Sequence, residues 1–214
     1  MDYITVAQTG DAKDFGDLTA ATNSGLIANS TTRGFISGIN NLKNRIYFIT
    51  IRSTGNAADF GDLTVARSGG SVGPLGNATR GIFPAGYSGG DLNVIDYVAI
   101  ATQGSAIDFG DQTQTASQTA AGSSPTRGVI AGGIGGSPRA VTNIIQKIEI
   151  LTTGNAVDFG DMSALHRDHG SGGNSTRGIF SGGSGASDTR TNVIDFITCL
   201  LYTSDAAADM QCVD

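Results

Sequence analysis

Asn155-Ala-Val-Asp-Phe-Gly-Asp161 is the clearest of four copies of one motif; the others place Asp-Phe-Gly-Asp around Phe15, Phe60 and Phe109. The four phenylalanines, the last being Phe159, stand 45, 49 and 50 residues apart. A second marker, Thr-Arg-Gly, keeps step with the first, its arginines Arg33, Arg80, Arg127 and Arg177 falling at intervals of 47, 47 and 50. A third marker is a β-rich stretch, seen as Val94-Ile-Asp-Tyr-Val-Ala-Ile100, Ile144-Ile-Gln-Lys-Ile-Glu-Ile150 and Val193-Ile-Asp-Phe-Ile-Thr198. Asp2-Tyr-Ile-Thr-Val6 and Arg45-Ile-Tyr-Phe-Ile-Thr50 are its first two copies. Self-similarity at such a period marks tandem structural repeats.

Spacing separates the rigid parts of a repeat from the free ones. From the fourth position of the β-rich stretch (Tyr3, Phe48, Tyr97, Lys147) to the next motif phenylalanine is 12 residues in every copy. From the second motif aspartate to the arginine is 16 residues in three copies and 18 in the other. From that arginine to the next fourth position the count is 15, 17, 20 and 19, so insertions collect in residues 37–44, 86–93, 133–143 and 183–192. Loops free to change length lie on the surface and carry specificity. Within them Asn40, Asn41, Tyr87, Asp91, Arg139, Asp188 and Arg190 are the candidate contact residues.

Composition points away from helices. There are 32 glycines, a single glutamate and three lysines, with threonine and β-branched residues throughout, a balance that favours strands and turns. The net charge of −6 is dispersed, because eight of the 18 aspartates belong to the evenly spaced motif. No basic footprint for nucleic acid is present. No apolar run approaches the roughly 18 residues of a membrane-spanning helix, and Met1-Asp2-Tyr3 opens without the basic and apolar regions of an export signal. Neither nucleic-acid binding nor membrane insertion is expected.

Each unit reads as about four short strands separated by Gly, Asn, Ser and Asp turns. The β-rich stretch is apolar on both faces, Ile95 and Tyr97 pointing one way and Val94, Val98 and Ile100 the other. One sheet alone could not bury both sets, whereas sheets packed about 10 Å apart do so. The expectation is an all-β fold of four repeats of 45–50 residues, each a four-stranded blade, stacked radially as a β-propeller. Phe15, Phe60, Phe109 and Phe159 are its expected core, and Arg33, Arg80, Arg127 and Arg177 are expected to pair with motif aspartates between blades.

The order of markers resembles the kelch repeat. Leu165-His-Arg-Asp-His-Gly170 is similar to the kelch entry into its second strand, Gly132-Gly133 and Gly182-Gly183 to its diglycine, and Asn192-Val-Ile-Asp-Phe196 to its Tyr-bearing strand. The chain departs from that family in having no tryptophan, with phenylalanine at the tryptophan position. Copies one and two also carry Ser37-Gly38 and Ala85-Gly86 where the diglycine belongs. More narrowly, tandem Gly-Asn-Ala-x-Asp-Phe-Gly-Asp and Thr-Arg-Gly units resemble uncharacterised repeat proteins of marine tailed bacteriophages and their metagenomic relatives. That resemblance covers residues 1–198 and implies a tail or other virion role, with a virion or extracellular location.

Residues 193–198 repeat the strand already supplied by residues 2–6, so four units plus one extra strand imply further propeller blades in a longer parent chain. The next motif phenylalanine is due at position 208, where Ala208 stands. Residues 199–214 share nothing with the repeat and resemble the in-frame translation of a transposon-end sequencing adapter. Both cysteines fall in that tail, so the repeats themselves use none.

Candidate chemistry is sparse. Asp-Phe-Gly is also a kinase magnesium motif, but four periodic copies without a catalytic loop exclude that reading. Asn155, Asp158 and Asp161, echoed at Asn56, Asp59 and Asp62, could hold Ca²⁺, yet a spacing of three is not the EF-hand alternation and turn capping explains it. His166 and His169 occur in one copy alone, without the partners of a zinc site. The sequons at Asn29, Asn77 and Asn174 each precede the repeated arginine and read as turn residues. No metal and no cofactor are expected. The reading is a non-enzymatic binding or structural protein that contacts a protein or glycan partner through its variable loops. The alternative is a propeller-scaffold hydrolase or oxidase, for which His166, Arg167, Asp168 and His169 are the non-repeated polar residues at hand.

Overall fold

Gly, Asn and Ser turns cut the chain into short strands whose apolar residues alternate or run on both faces. The computed structural model describes residues 1–7, 9–21, 25–38, 44–70, 73 and 75–198. Asn40, Asn41 and the tail 199–214, with Ala208, lie outside the described residues. In chain order the strands are β1 (Asp2–Tyr3), β2 (Lys13–Asp14), β3 (Leu26–Asn29), β4 (Arg33–Ser37), β5 (Arg45–Thr50) and β6 (Ala58–Asp62). Then come β7 (Arg80–Pro84), β8 (Leu92–Ala99), β9 (Ile107–Ser117), β10 (Ala120–Ser123), β11 (Arg127–Ala131), β12 (Ile134–Gly135) and β13 (Ala140–Val141). The last are β14 (Ile144–Glu149), β15 (Val157–Asp161), β16 (Gly170–Gly173), β17 (Arg177–Ser181) and β18 (Ile194–Thr198). No α-helix occurs among the described residues, so the fold is all-β.

Among the described residues the strands form five small sheets, antiparallel throughout: β1-β2, β3-β4-β5-β6, β13-β12-β9-β8-β7, β10-β11-β14-β15 and β16-β17-β18. The second and fourth sheets are the same meander. A four-residue strand leads to the Thr-Arg-Gly strand, then the β-rich stretch, then the Asp-Phe-Gly-Asp strand. In the third sheet the first of these shrinks to a bridge between Gly76 and Gly81. There β9 runs on past the motif to Ser117 and takes on the hairpin β12-β13 from the next variable loop.

Sheets three and four are each wedged between two hydrophobic clusters. On sheet three, Phe83, Val98 and Ile100 join Phe35 and Phe60 of the preceding sheet. Ile82, Ile95 and Phe109, from the other face, join Ile130, Ile148 and Ile150 of the following one. A third cluster holds Val129, Ile145, Met162 and Phe180, with Phe159 and Ile197 against it. Two-faced burial of the β-rich strand is therefore what joins sheet to sheet. Phe15, Phe60 and Phe109 are buried and Phe159 is half-buried; Phe60, Phe109 and Phe159 each lie between their own sheet and the next, and Phe15 meets Tyr3 edge-on.

Behind the phenylalanine a second joint recurs. The carbonyls of Phe15 and Asp17 accept from Gly55 N and Ala57 N; those of Phe60 and Asp62 from Gly104 N and Ala106 N; those of Phe109 and Asp111 from Gly154 N and Ala156 N. Asn56 Oδ1 and Asn155 Oδ1 complete the joint by accepting from Asp17 N (2.8 Å) and Asp111 N (3.0 Å). The motif glycine is required by this approach. A Cβ on Gly61 would sit 2.4 Å from the Gly104 carbonyl oxygen, and one on Gly110 2.5 Å from that of Gly154.

The turns at residues 29–31, 76–78, 123–125 and 174–175 converge on a depression of about 540 Å³. Each is capped by its own side chain. Ser30 Oγ, Asn77 Oδ1, Ser124 Oγ and Asn174 Oδ1 accept from the backbone N–H of Arg33, Arg80, Arg127 and Arg177. Asn77 and Asn174 are thus turn residues in the structure, whereas after Asn29 the cap falls to Ser30.

Candidate functional site

Of the residues singled out in the variable loops, Tyr87, Asp91 and Arg139 come together. They line a depression of about 450 Å³ with Gly89, Gly90, Thr115 and Gly136. Backbone pairing of Tyr87 with Ser68 in both directions holds its position and leaves the ring 41% exposed. Arg139, carried on the β12-β13 hairpin, reaches Asp91 across two successive loops: Nε donates to Oδ2 at 2.5 Å and Nη2 to Oδ1 at 3.2 Å. Ser117 Oγ donates to the same Oδ1 at 2.6 Å, from the extended end of β9. Hydrogen bonding to Asp91 pushes the Arg139 guanidinium above its usual pKa. The pair is fixed on the buried Asp91 side and open on the Arg139 side, whose side chain is half exposed.

Asp188 and Arg190 form a different group. Arg167 Nη2 donates to Asp188 Oδ1, and Arg167 Nη1 to Gln118 Oε1 at 3.2 Å. Arg190 is exposed and its backbone bridges Ser184.

Arg33 and Arg80 have other partners than those expected. Arg33 Nη1 donates to the Ile100 carbonyl and its guanidinium lies over Phe48, 4.9 Å from the ring centre. Arg80 does the same with the Ile150 carbonyl and Tyr97, at 4.6 Å. These two arginines tie successive sheets through a ring and a carbonyl, not through a motif aspartate. The correction has a physical basis: the motif aspartates lie on a strand whose backbone the next sheet's turn covers, while the end of the β-rich strand offers an unused carbonyl beside an aromatic face.

Sequence reasoning missed a line of recurring polar contacts between strands. Asp96, Gln146 and Asp195, each third in its β-rich stretch, accept from Thr64, Thr113 and Ser163. Each of those hydroxyls lies four residues after a motif phenylalanine, so the signal was a Ser/Thr in step with an Asp or Gln. Asp96 has a further partner, the fully buried Arg67, whose Nη1 donates to Oδ2 at 2.7 Å while Nη2 donates to the Phe83 carbonyl at 2.8 Å.

The corresponding place before β16 is taken by His166 and His169, both buried, with ring centres 5.8 Å apart. His166 Nδ1 donates to the Gly182 carbonyl at 3.0 Å. His166 Nε2, both His169 ring nitrogens and Asp195 Oδ2 lack hydrogen-bond partners. His169 also presses on the diglycine of the preceding unit, where a Cβ on Gly132 would stand 2.8 Å from its ring and 2.7 Å from Met162 Cε. Among the described residues no group of three or more His, Cys, Asp or Glu side chains is placed to hold a metal ion. Burial, with the neighbouring His166 adding to it and Asp195 opposing, lowers the His169 pKa from 6.5 to about 4.

A depressed histidine pKa means the unfolded chain takes up a proton that the folded chain refuses. The contribution to stability is complete above pH 6.5 and declines as the pH falls toward 4. A difference of that size corresponds to about 3 kcal/mol. Urea unfolding at neutral pH and near pH 4 should show this loss in the wild type, and His169→Leu should remove most of it. Equal pH dependence in the two proteins would show that His169 titrates normally in the fold.

A scan against protein-family models and a search of curated proteins found no match. The class of protein therefore rests on the fold and on the residues just described.

Proposed function

We propose that this chain is a binding and structural protein, built as a kelch-like β-propeller segment, that holds a glycan or protein partner at the loop depression formed by Tyr87, Asp91 and Arg139. One observation carries the reading. Residues that recur in every unit go into packing between sheets, whereas loops of unequal length from two successive units meet at that depression. Support for the radial arrangement comes from the four capped turns, one from each of four successive sheets, gathered around one depression.

Glycan suits the depression best. A half-exposed tyrosine ring offers an apolar face to a sugar, and an aspartate–arginine pair beside it offers both acceptor and donor to hydroxyls. The enzyme reading would draw on His166 and His169, which are sealed from solvent and so poorly placed to meet a substrate. By resemblance to the phage repeat proteins, the parent protein would sit on a virion appendage.

A glycan array probed with the labelled chain should show hits that Tyr87→Ala and Arg139→Ala weaken about tenfold or more. Mass spectrometry of particles of a phage encoding a parent should find it in the virion. An array without hits together with absence from the particle would reject the proposal, and hits insensitive to both variants would move the site elsewhere.

A further inference from the structure

Seven residues after their motif phenylalanines stand Arg67, Ala116 and His166, and third in the β-rich stretches that follow stand Asp96, Gln146 and Asp195. Arg67 and Asp96 form a buried ion pair at 2.7 Å, while Ala116 and Gln146 are both uncharged. His166 and Asp195 break this balance, because an imidazole carries no fixed charge. Asp195 Oδ1 accepts from Ser163 Oγ at 2.6 Å, but Oδ2 is buried and lacks a partner among the described residues. The last unit thus holds a carboxylate without the cation that Arg67 supplies two units earlier.

Next to His166 lies a second buried imidazole, His169, with the ring centres 5.8 Å apart. Of the four ring nitrogens His166 Nδ1 alone is hydrogen-bonded, donating to the Gly182 carbonyl at 3.0 Å, and the other three are buried without partners among the described residues. Interiors rarely leave such atoms bare. A proton on His166 would restore the cation but leave both His169 nitrogens bare. A single metal ion shared by the rings supplies the charge and takes a nitrogen from each. The bond to Gly182 is the outer contact that directs a ligating imidazole, since a proton on Nδ1 leaves the lone pair on Nε2. No hydrogen bond resists a turn of the His169 ring about its Cβ–Cγ bond. An ion about 2 Å from one nitrogen of each ring sets the ring centres about 5.5 to 6.3 Å apart, from a trigonal to a linear arrangement, and the separation of 5.8 Å falls inside that span.

We propose that His166 Nε2 and a ring nitrogen of His169 hold a copper(I) ion, with the Met162 thioether as third ligand and Asp195 as counter-charge. Met162 Cε and His169 Cε1 both crowd the point where a Cβ on Gly132 would stand, at 2.7 and 2.8 Å, so the thioether end lies by the imidazole. Phe180 packs on the same imidazole, ring centres 6.0 Å apart, and the charge of Asp195 acts on it. The donor set selects the metal. A structural zinc takes four ligands from Cys, His, Asp and Glu, and among the described residues no group of three is placed for one. Copper(I) is satisfied by two or three, favours imidazole and thioether, and carries the single charge that Asp195 balances. The pH dependence of stability given above is that of the metal-free chain.

The full chain, kept free of oxygen, should withdraw one equivalent of copper(I) from its bicinchoninate complex. His166→Ala and His169→Leu should each weaken uptake about a hundredfold or more, and Met162→Leu, which keeps the volume of the core, about tenfold. X-ray absorption of the loaded chain should show two nitrogens at about 2 Å and one sulfur at about 2.3 Å, the sulfur being lost in Met162→Leu. Thermal unfolding without metal reports whether each variant folds, and copper(I) should then raise the midpoint of the wild type and not that of His169→Leu. No uptake by the folded wild type, uptake indifferent to both histidine variants, or zinc bound more tightly than copper(I) would overturn the proposal. So would a His166 ring found protonated at neutral pH by NMR, which would put the balancing charge on that imidazole instead.

Discussion

Asp96→Ala is expected to destabilise the fold by about 3–5 kcal/mol, the range for removing one partner of a buried ion pair. The carboxylate accepts from Arg67 Nη1 and from both the backbone N–H and the hydroxyl of Thr64. Arg67 and Asp96 are both inaccessible to solvent, and Arg67 Nε already lacks a partner. Burial draws the guanidinium pKa below its usual value, with Asp96 opposing the shift. Without Asp96 the cation stays in the interior with the Phe83 carbonyl as its main acceptor.

The chain itself contains another solution for this place. In the next unit Ala116 stands where Arg67 does and Gln146 where Asp96 does, Gln146 keeping the bonds from Thr113. Asp96→Gln alone should therefore be the worse variant, and adding Arg67→Met should restore part of the loss even though a second residue has changed. Chemical denaturation of the three proteins measures this directly. A double variant less stable than Asp96→Gln by the full cost of losing Arg67 would mean that the two side chains do not act as a pair.

How far the fold could be read in advance depends on what repeats. The constant 12 residues from the β-rich stretch to the motif phenylalanine reflect a hairpin of fixed length. The two-faced apolarity of Val94 to Ile100 predicted two cores and two are found, one on either side of sheet three. The loops were marked by their unequal lengths. Their pairing was not, because Asp91 and Arg139 are 48 residues apart and neither recurs at its equivalent position. Arg67 was passed over for the same reason. A charged residue that occurs once, in a glycine-rich segment, carries no periodic signal, and only the packing of two sheets around it shows that it is buried. Arg33 and Arg80 were legible as joints between units. Their partners were not, since a backbone carbonyl leaves no trace in sequence.

The second large effect is expected at Phe60. Its ring is 3% exposed, meets Phe35 edge-on at 5.0 Å and Phe48 at 5.5 Å between ring centres, and lies beneath the Arg33 guanidinium. Phe60→Ala opens a cavity between two sheets that the flanking strands cannot close without breaking the hydrogen bonds from Gly104 and Ala106 to this motif strand. The loss should be about 3–5 kcal/mol. Phe159→Ala removes the same ring from the same motif, but that ring is half-buried, so about 1–2 kcal/mol is expected there. Enlargement is also informative. Phe35 and Phe83, both fully buried, fill the space beside Phe60, so Phe60→Trp should destabilise by about 1–3 kcal/mol through overpacking. At this position the choice of phenylalanine over tryptophan then has a cause in the cluster itself: the phenylalanines of β4 and β7 occupy the volume a larger ring would need. Urea unfolding of the three variants ranks these effects, and a Phe60→Trp protein as stable as the wild type would show that the space between these sheets is not full.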